Sequence, residues 1–331
     1  MITPSQFMLD QNFDLIVGVP ARGLSPFLIG QNYKVFNNES QAVSFASGAY
    51  LSGKVSKPLV FMQNSGLFAS SNEIASIVKS MDIPLKFLIE YRGINYENAT
   101  QHLITGKHTE SLLKGLGLEF CHWNDVTKNS DVFLVTKLSI KDFLTCPNNN
   151  TIPSKYALSR QEIVKQIIGL SKGLVVWPTG LTSRCAYEHG HKDRFIYNAG
   201  GFGYSCMIGL GIASCSQEPV IVVDGDGSAT VNLSNLTQIA KLKRQFTYII
   251  LQNNMYESCS GEICDSTYLK DVVHSMGIMV YEELSSELLF KSLSCSCPTI
   301  FLIPMKVDFK RNYKRPLDMP LYASRFRSNN V

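Results

Sequence analysis

The chain has 331 residues, of which 45% are hydrophobic and 18% are charged, and its formal net charge is +4. This length and composition are typical of a globular protein with about two domains. The small, dispersed positive charge disfavours nucleic acid as a partner. No apolar run approaches the ~18 residues of a membrane span, so no membrane partner is expected.

The first twenty residues lack a basic start followed by a long apolar core, so we expect no secretory signal. The nine cysteines are an odd number, and most lie within apolar runs. This pattern favours reduced thiols and therefore a cytoplasmic protein.

The first half of the chain alternates short apolar runs with helical patterns. Strands are predicted at residues 13–20, 33–40, 58–66, 83–93 and 131–139. The segment 41–53, rich in small residues, is predicted to be a tightly packed helix, and residues 110–120 form a second helical pattern. The Pro-, Asn- and Ser-rich segment 141–158 is predicted to be a linker.

The second half begins with an amphipathic helical pattern at residues 159–171, where Ser159 and Glu162 have capping-box spacing. Further strands are predicted at residues 173–180, 194–201, 219–227, 246–254 and 299–307. Short apolar strands that alternate with helices indicate parallel sheets covered on both faces. We therefore predict two tandem three-layer α/β domains, residues 1–140 and 159–331, with no third domain between them.

Two polar side chains follow predicted strands of the second domain. Asp226 lies in an Asp-Gly-Asp-Gly sequence, and Asn254 is the second residue of an Asn-Asn pair 28 positions later. One strand–helix–strand unit would bring both strand ends to the same sheet edge, where ligands bind. Carboxylate, amide and diphosphate oxygens form a hard ligand set that suits Mg²⁺ better than Zn²⁺.

The glycines beside Asp226 would let the backbone approach such a ligand closely. Residues 228–242 are predicted to form one helix, whose first amides would face a phosphate group. Taken alone, the Gly-Asp-Gly pattern is also compatible with an ordinary strand–turn–helix connection in which Asp226 is a cap.

Gly-Asp-Gly followed by Asn-Asn at this distance resembles the signature of thiamine-diphosphate enzymes. The resemblance implies that the second domain binds the diphosphate of thiamine diphosphate together with Mg²⁺. It implies that the metal ligands are Asp226, Asn254 and the backbone carbonyl of Tyr256. It also places three further residues beside the cofactor: Gly225, Gly227 and Ser228.

The upstream sequence NAGGFGYSCMIGLGIA is similar to the family segment that packs against the aminopyrimidine ring. The resemblance implies that the carbonyl of Gly200 accepts a hydrogen bond from the amino group of the cofactor. It also implies that Phe202 is the bulky apolar residue that bends the cofactor into its V shape. The alternative is a glycine-rich helix start whose Phe belongs to the core.

Thiamine chemistry also needs a carboxylate that touches the pyrimidine ring. Glu39 follows a predicted strand and precedes a small-residue helix, which resembles the pyrimidine-binding domain of the family. The alternative is a Glu favoured at a helix start by the helix dipole. In the family this Glu reaches the cofactor of a neighbouring subunit. The resemblance therefore implies a homodimer or larger homo-oligomer with active sites at the subunit interface.

Within the family, the chain resembles the compact decarboxylases of phosphonopyruvate and sulfopyruvate almost from end to end. The stretches that carry this resemblance include GVPARGLSPFL, MQNSGLFASSN, EYRG, NATQHLITG and NNMYES. Because both domains lie in one chain, phosphonopyruvate is the favoured substrate, which would yield phosphonoacetaldehyde and carbon dioxide for phosphonate biosynthesis. Sulfopyruvate decarboxylation, carboligation of the acetolactate synthase kind and a protein that has lost its chemistry remain alternatives.

A phosphonate group needs cationic or amide donors. The candidates in or near predicted loops of the first domain are Arg22, Asn64, Ser65, Arg92, His102 and Lys107. For the charged residues the alternative is a solvated surface position. The sequence departs from its relatives at Arg22, Phe202, Met255 and Tyr256, which leaves the identity of the substrate open. A nicotinamide oxidoreductase is disfavoured, because the first strand is not followed by G-x-G-x-x-G.

Overall fold

The computed structural model describes residues 2–94, 99–125, 130–136, 158–259, 261–307 and 312–328. The chain divides into two compact units, residues 1–146 and 147–331. The predicted linker, residues 141–158, lies outside the described residues except for Leu158, so its bounds stay a prediction. Among the described helices, none is both long enough and apolar enough to span a bilayer.

Within its described residues, the first unit contains six strands: β1 (Leu15–Gly18), β2 (Lys34–Val35), β3 (Pro58–Gln63), β4 (Lys86–Glu90), β5 (Phe120–His122) and β6 (Val132–Val135). They pair in parallel in the order β2-β1-β3-β4-β6-β5. The helices are α1 (Pro4–Gln11), α2 (Ser25–Leu28), α3 (Glu39–Leu51), α4 (Asn64–Ala69), α5 (Ser71–Glu73) and α6 (Thr100–Gly115), with a 3₁₀ turn at Arg22–Leu24 and a π-helical segment at Ile74–Lys79.

Both faces of this sheet are covered by helices. Successive side chains of a strand point to opposite faces, so Val60 and Met62 of β3 pack with α3, α4 and α6, whereas Leu59 and Phe61 pack with α1 and α2. Burial of an aliphatic side chain of this size stabilises the fold by roughly 1.5–3 kcal/mol. The predicted three-layer α/β arrangement of the first unit is confirmed.

The described part of the second unit also holds six strands: β7 (Leu174–Trp177), β8 (Phe195–Tyr197), β9 (Val220–Gly225), β10 (Phe246–Gln252), β11 (Met279–Tyr281) and β12 (Pro298–Pro304). All pair in parallel, in the order β11-β12-β10-β9-β7-β8. The helices are α7 (Arg160–Leu170), α8 (Leu181–Glu188), α9 (Ser205–Cys215), α10 (Asp226–Val231), α11 (Asn235–Lys241), α12 (Leu269–Ser275), α13 (Ser286–Ser294) and α14 (Met319–Ser328).

The second unit repeats the three-layer plan. One face of its sheet packs with α7, α8 and α13, and the other packs with α9, α11 and α12. The capping box predicted at the start of α7 is present, with the Ser159 side chain bonded to the backbone of Glu162 and the Glu162 side chain bonded back to Ser159. The prediction of two tandem α/β units is therefore confirmed in both halves of the chain.

The predicted single helix at residues 228–242 is wrong. The structure has two short helices there, α10 and α11, with a break after Val231. The break contains Asn232 and is followed by Asn235, and both side-chain amides donate to the carbonyl of Gly203, at 3.4 and 2.8 Å. Asn side chains that bond to backbone groups compete with a continuous helix.

Gly93 allows two segments of the first unit to approach each other closely without a steric clash. This residue has φ +86, and a Cβ there would lie 1.7 Å from the carbonyl oxygen of His102 in α6. Gly30 has a similar φ of +75, but a Cβ there would meet no atom within 4 Å. The two glycines thus share the backbone requirement and differ in the space around them.

We expect Gly93→Ala to lower the free energy of unfolding more than Gly30→Ala. Both variants incur the left-handed backbone cost of about 1–2 kcal/mol. Only Gly93→Ala adds an overpacking cost of roughly 1–3 kcal/mol. Urea denaturation of the two variants beside the wild type measures the difference, and equal losses would contradict the contact between Gly93 and α6.

Candidate active site

The carboxyl ends of β9 and β10 lie side by side, with Asp224 paired to Ile250 and Gly225 paired to Leu251. Asp226 follows β9 directly, and Asn253 and Asn254 follow β10. The sequence-predicted pair therefore meets at one edge of the sheet. The strand order reverses at β7, because β9 and β8 lie on opposite sides of it. The carboxyl ends of the strands at such a reversal are the usual place for a ligand in these sheets.

The carboxylate of Asp226 joins the two strand ends. Its Oδ2 accepts hydrogen bonds from the backbone N–H of Asn253 at 3.0 Å and of Asn254 at 2.7 Å, and from the Ser266 hydroxyl at 3.1 Å. Its Oδ1 accepts one from the N–H of Gly227 at 2.8 Å. Burial raises the pKa of Asp226 to about 6 although these donors oppose the shift. A cation beside Oδ1 would favour the ionised form.

Asn254 has a left-handed backbone, with φ +52, a conformation that Asn tolerates better than most residues. Its side-chain Oδ1 accepts a hydrogen bond of 2.6 Å from the Ser266 hydroxyl. Its backbone carbonyl accepts one from the N–H of Cys264 at 2.9 Å. The amide oxygen of Asn254 and the carboxylate of Asp226 are thus fixed beside one shared hydroxyl.

Tyr256 fits the predicted ligand set less simply. Its carbonyl accepts hydrogen bonds from the N–H groups of Cys259 at 3.0 Å and Gly261 at 3.2 Å, so metal coordination would require this turn to rearrange. Its ring packs on Gly227, where a Cβ would lie 2.7 Å from the Tyr256 ring. Gly227 is therefore needed for close packing against Tyr256.

A cleft opens at this edge of the sheet. Six of the predicted cofactor residues line it: Phe202, Gly225, Asp226, Gly227, Ser228 and Tyr256. A Cβ at Gly225 would meet no atom within 4 Å, so a side chain there would occupy open space at the cleft. Gly200 and Asn254 do not line the cleft. The Gly200 carbonyl accepts a hydrogen bond of 2.9 Å from the N–H of Phe202.

The glycine-rich segment before α9 is held by the side chains of Asn198, which the sequence did not single out, and of Ser228. Asn198 donates to the Gly201 carbonyl at 2.6 Å and accepts from the Gly201 N–H at 2.8 Å. The hydroxyl of Ser228 accepts from the N–H of Gly203 at 2.9 Å. Ser228 therefore ties this segment to the Asp-Gly-Asp-Gly turn, in addition to facing the cleft.

The first Asp of that turn, Asp224, points into the protein and is fully buried. It accepts hydrogen bonds from the Tyr248 hydroxyl at 3.2 Å and the Gly225 N–H at 3.1 Å. Burial raises the pKa of Asp224 to about 7. Of the two Asp residues in the motif, only Asp226 lines the cleft.

Sequence reasoning missed a buried ion pair beside the same cleft. Arg160 of α7 contacts Glu257 at 2.6 Å, and the two side chains are only 3% and 4% exposed. The side-chain amide of Asn253 donates to the same Glu257 oxygen at 2.6 Å, and its Oδ1 accepts from the N–H of Met255 at 3.1 Å. Arg160 and Glu257 are 97 positions apart, so no local pattern could have revealed the pair.

In the first unit, Glu39 is the first residue of α3, after the end of β2. Desolvation raises the pKa of the Glu39 carboxyl, and its own backbone N–H partly opposes the shift. The side chain lies against Gly66 of α4, where a Cβ would come within 2.4 Å of both Cγ and Oε1 of Glu39. Gly66 thus leaves the space that Glu39 occupies.

The predicted substrate residues of the first unit differ in exposure. Arg22 and Ser65 are exposed after the ends of β1 and β3, and the Ser65 hydroxyl donates to Gln63 at 2.9 Å. Asn64 is fully buried, and its amide donates to the Arg92 carbonyl and to the Thr109 hydroxyl, each at 2.9 Å. These bonds hold the Asn64 side chain within the first unit, and its predicted role at the substrate stays a prediction.

The remaining candidates follow β4. Arg92 is half-buried, and its guanidinium lies 3.7 Å from the buried carboxylate of Glu90. His102 and Lys107, which were predicted to lie in or near loops, belong to α6. His102 is buried there and Lys107 is exposed. Helix α6 begins further towards the amino terminus than the predicted helical pattern at residues 110–120, and the contact of these two residues with the substrate stays a prediction.

Comparison with known proteins agrees with this site. A family model described as "Thiamine pyrophosphate enzyme, C-terminal TPP binding domain" matches residues 180–286. The chain is 26% identical to a phosphonopyruvate decarboxylase of Streptomyces viridochromogenes, over 95% of this chain and 90% of that protein. It is 24% identical to a sulfopyruvate decarboxylase of Methanosarcina acetivorans, over 80% of this chain and 78% of that protein.

A relative above 30% identity matches part of the chain. A sulfopyruvate decarboxylase subunit beta of Methanothermobacter thermautotrophicus is 31% identical, over 45% of this chain and 83% of that protein. The residues matched by the family model include the Asp226 turn and Asn254. The chain therefore belongs to the thiamine-diphosphate enzyme family that contains the phosphonopyruvate and sulfopyruvate decarboxylases.

Proposed function

We propose that the protein is a thiamine-diphosphate- and Mg²⁺-dependent decarboxylase of a 3-substituted 2-oxo acid, with phosphonopyruvate as the favoured substrate. The observation that carries the proposal is the arrangement of Asp226 and Asn254 at adjacent strand ends beside a cleft. Relatives named phosphonopyruvate decarboxylase that align with nearly the whole chain support the choice of substrate.

The residues at this edge fit a magnesium diphosphate. Asp226 and Asn254 supply carboxylate and amide oxygens, the hard ligands that Mg²⁺ prefers. The cleft contains no side chain at Gly225, where a Cβ would meet no atom within 4 Å, and this leaves room for phosphate oxygens near the backbone. Bound thiamine diphosphate would supply a carbon nucleophile and an electron sink for the loss of carbon dioxide.

Glu39 would act on the pyrimidine end of the cofactor. Its desolvated carboxyl has a raised pKa, so it holds a proton more readily than an exposed Glu. Such a group can share a proton with a ring nitrogen. Phe202 would support the bend of the cofactor from the cleft wall, and the Gly200 carbonyl has a second lone pair with which to accept the cofactor's amino group.

Sulfopyruvate is the alternative substrate. The Methanosarcina acetivorans relative named for it aligns with both units, so a single chain does not by itself select phosphonopyruvate. Phosphonate and sulfonate groups both attract Arg side chains, and they differ in charge. Arg22 and Arg92 follow β1 and β4, the two strands that flank β3 in the first sheet, and they are the cations we assign to this group.

A homo-oligomer with active sites at the subunit interface forms part of the proposal. Helix α9, of sequence SCMIGLGIASC, is apolar on all sides, and helices of this kind are normally covered. Phe202, Tyr204 and Ile208 expose 37%, 53% and 39% of their surface at its amino-terminal end.

We also propose a cytoplasmic location, because all eight cysteines of the described residues are free thiols.

Purified protein supplied with thiamine diphosphate and Mg²⁺ is expected to release carbon dioxide from phosphonopyruvate faster than from sulfopyruvate or pyruvate. Chelation of the cation should stop the release, and added Mg²⁺ should restore it. The reason is that the side chains of Asp226 and Asn254 offer oxygen ligands, which Mg²⁺ prefers. Carbon dioxide and the aldehyde product are measured together. Fastest turnover of sulfopyruvate would select the alternative substrate, and turnover of pyruvate alone would overturn the substrate assignment.

Glu39→Gln is expected to lower kcat by about 10²–10⁴-fold, the usual range for loss of an acid–base group. Binding of thiamine diphosphate with Mg²⁺, measured by calorimetry, should change little, because the diphosphate ligands lie in the other unit. Asp226→Ala should instead abolish retention of the cofactor. Loss of cofactor binding in Glu39→Gln would contradict the role assigned to Glu39.

Mixing these two inactive variants tests whether Glu39 acts in a neighbouring subunit. Random exchange of subunits should restore about a quarter of the wild-type rate, since half of the dimers would be hybrids with one intact site. Activity that stays at zero after confirmed subunit exchange would place Glu39 beside the cofactor of its own chain.

Gly66→Ala is expected to lower kcat by up to about 10²-fold, because a Cβ at this position would displace the Glu39 carboxyl and small misplacements of a reacting group are costly. Gly48→Ala in α3 is the matched control, since a Cβ there would meet no atom within 4 Å. Steady-state kinetics and thermal unfolding of both variants are compared. Equal kcat values would show that Gly66 does not position Glu39.

A further inference from the structure

Ser266 lies between the two side chains assigned to the cation. It is fully buried in the segment before α12. Its hydroxyl oxygen is 2.6 Å from Asn254 Oδ1 and 3.1 Å from Asp226 Oδ2. One hydroxyl therefore touches both ligand side chains.

A third residue sets the direction of this hydroxyl. The side-chain amide of Gln252, the last residue of β10, donates to the Ser266 hydroxyl oxygen and to the Ser266 backbone carbonyl, each at 3.1 Å. Since the hydroxyl oxygen accepts from Gln252, its one hydrogen is directed to the two ligand oxygens. The chain thus provides a donor where two electronegative oxygens converge.

The backbone brings Ser266 back to this point. Met255 and Ile263 form an antiparallel bridge, and the N–H of Cys264 donates to the Asn254 carbonyl at 2.9 Å. The chain therefore leaves the Asn254 position, turns and returns beside it within 12 residues. The position of the hydroxyl is fixed by this turn as well as by its own hydrogen bonds.

We propose that Ser266 is a positioning residue of the cation site, which orients Asp226 and Asn254 before Mg²⁺ binds. The inference rests on the function proposed above. Without a cation, a carboxylate oxygen and an amide oxygen at close range repel each other, and a shared donor offsets this repulsion. Asp226 Oδ1 accepts its hydrogen bond from the same turn, at Gly227, and keeps lone-pair capacity for a metal.

Partners that orient metal ligands commonly change metal affinity about 10–100-fold when they are removed. In Ser266→Ala we therefore expect the Mg²⁺ concentration that half-saturates the protein, at fixed thiamine diphosphate, to rise by about 10–100-fold. Ser266→Cys keeps the approximate size and a weaker donor, so its half-saturating concentration should lie between those of the wild type and Ser266→Ala. Isothermal calorimetry gives these values independently of turnover.

Ser292→Ala is the matched control. Ser292 is a similarly buried serine of the second unit, but its hydroxyl donates to the Leu289 carbonyl within α13 and contacts Thr247. This variant loses a buried hydroxyl away from Asp226 and Asn254, so its Mg²⁺ titration should match the wild type. Thermal unfolding without ligands shows whether each variant is folded. If Ser266→Ala does not fold, the Mg²⁺ titration of Ser266→Cys tests the role of Ser266.

The outcomes separate this inference from the function on which it rests. A wild-type protein that shows no Mg²⁺-dependent uptake of thiamine diphosphate would overturn the proposed function. If the wild type takes up the cofactor and the Ser266 variants titrate like Ser292→Ala, the positioning role of Ser266 is overturned. A rise confined to the Ser266 variants, in the order wild type, Cys, Ala, supports it.

Discussion

The hydrogen bonds from the backbone of Asn253 and Asn254 to Asp226 are the constraint on which the candidate site depends. They connect the ends of two adjacent parallel strands through one buried carboxylate. A carboxylate in this position is tolerated only because donors surround it, since burial of an uncompensated charge is costly. The same donors fix the carboxylate at the cleft, so the hydrogen bonds that stabilise the turn also orient the predicted metal ligand.

Burial raises the pKa of both carboxyl groups assigned to the chemistry, and the two groups differ in the hydrogen-bond donors around them. Asp226 accepts four hydrogen bonds, and a bound cation would favour its ionised form further. Glu39 is desolvated against the backbone of Gly66, which favours its protonated form. A charged ligand and a group that exchanges a proton are thus obtained from the same functional group by different packing.

Features encoded by neighbouring residues were predictable from the sequence. The apolar runs of the longer strands and the capping box at Ser159 depend on local patterns, and the structure has both. The short strands β5 and β11 were missed, because three residues carry too little pattern without their sheet partners. Arg160 and Ser266 were missed for a similar reason. Arg160 contacts Glu257, 97 positions away, and Ser266 contacts Asp226, 40 positions away.

The residues assigned to the cofactor and those assigned to the substrate differ in how firmly the protein holds them. Side chains near the assigned cation are buried and held by several hydrogen bonds, as Asp226 and Ser266 show. The cations assigned to the substrate, Arg22 and Arg92, are exposed or half-buried, and a long Arg side chain can adopt several rotamers there. Fixed geometry at the cofactor determines which reaction is accelerated. Arg side chains that can change rotamer distinguish between anionic groups of substrates chiefly by charge. Substrate identity is therefore less strongly encoded in the fold than the reaction chemistry.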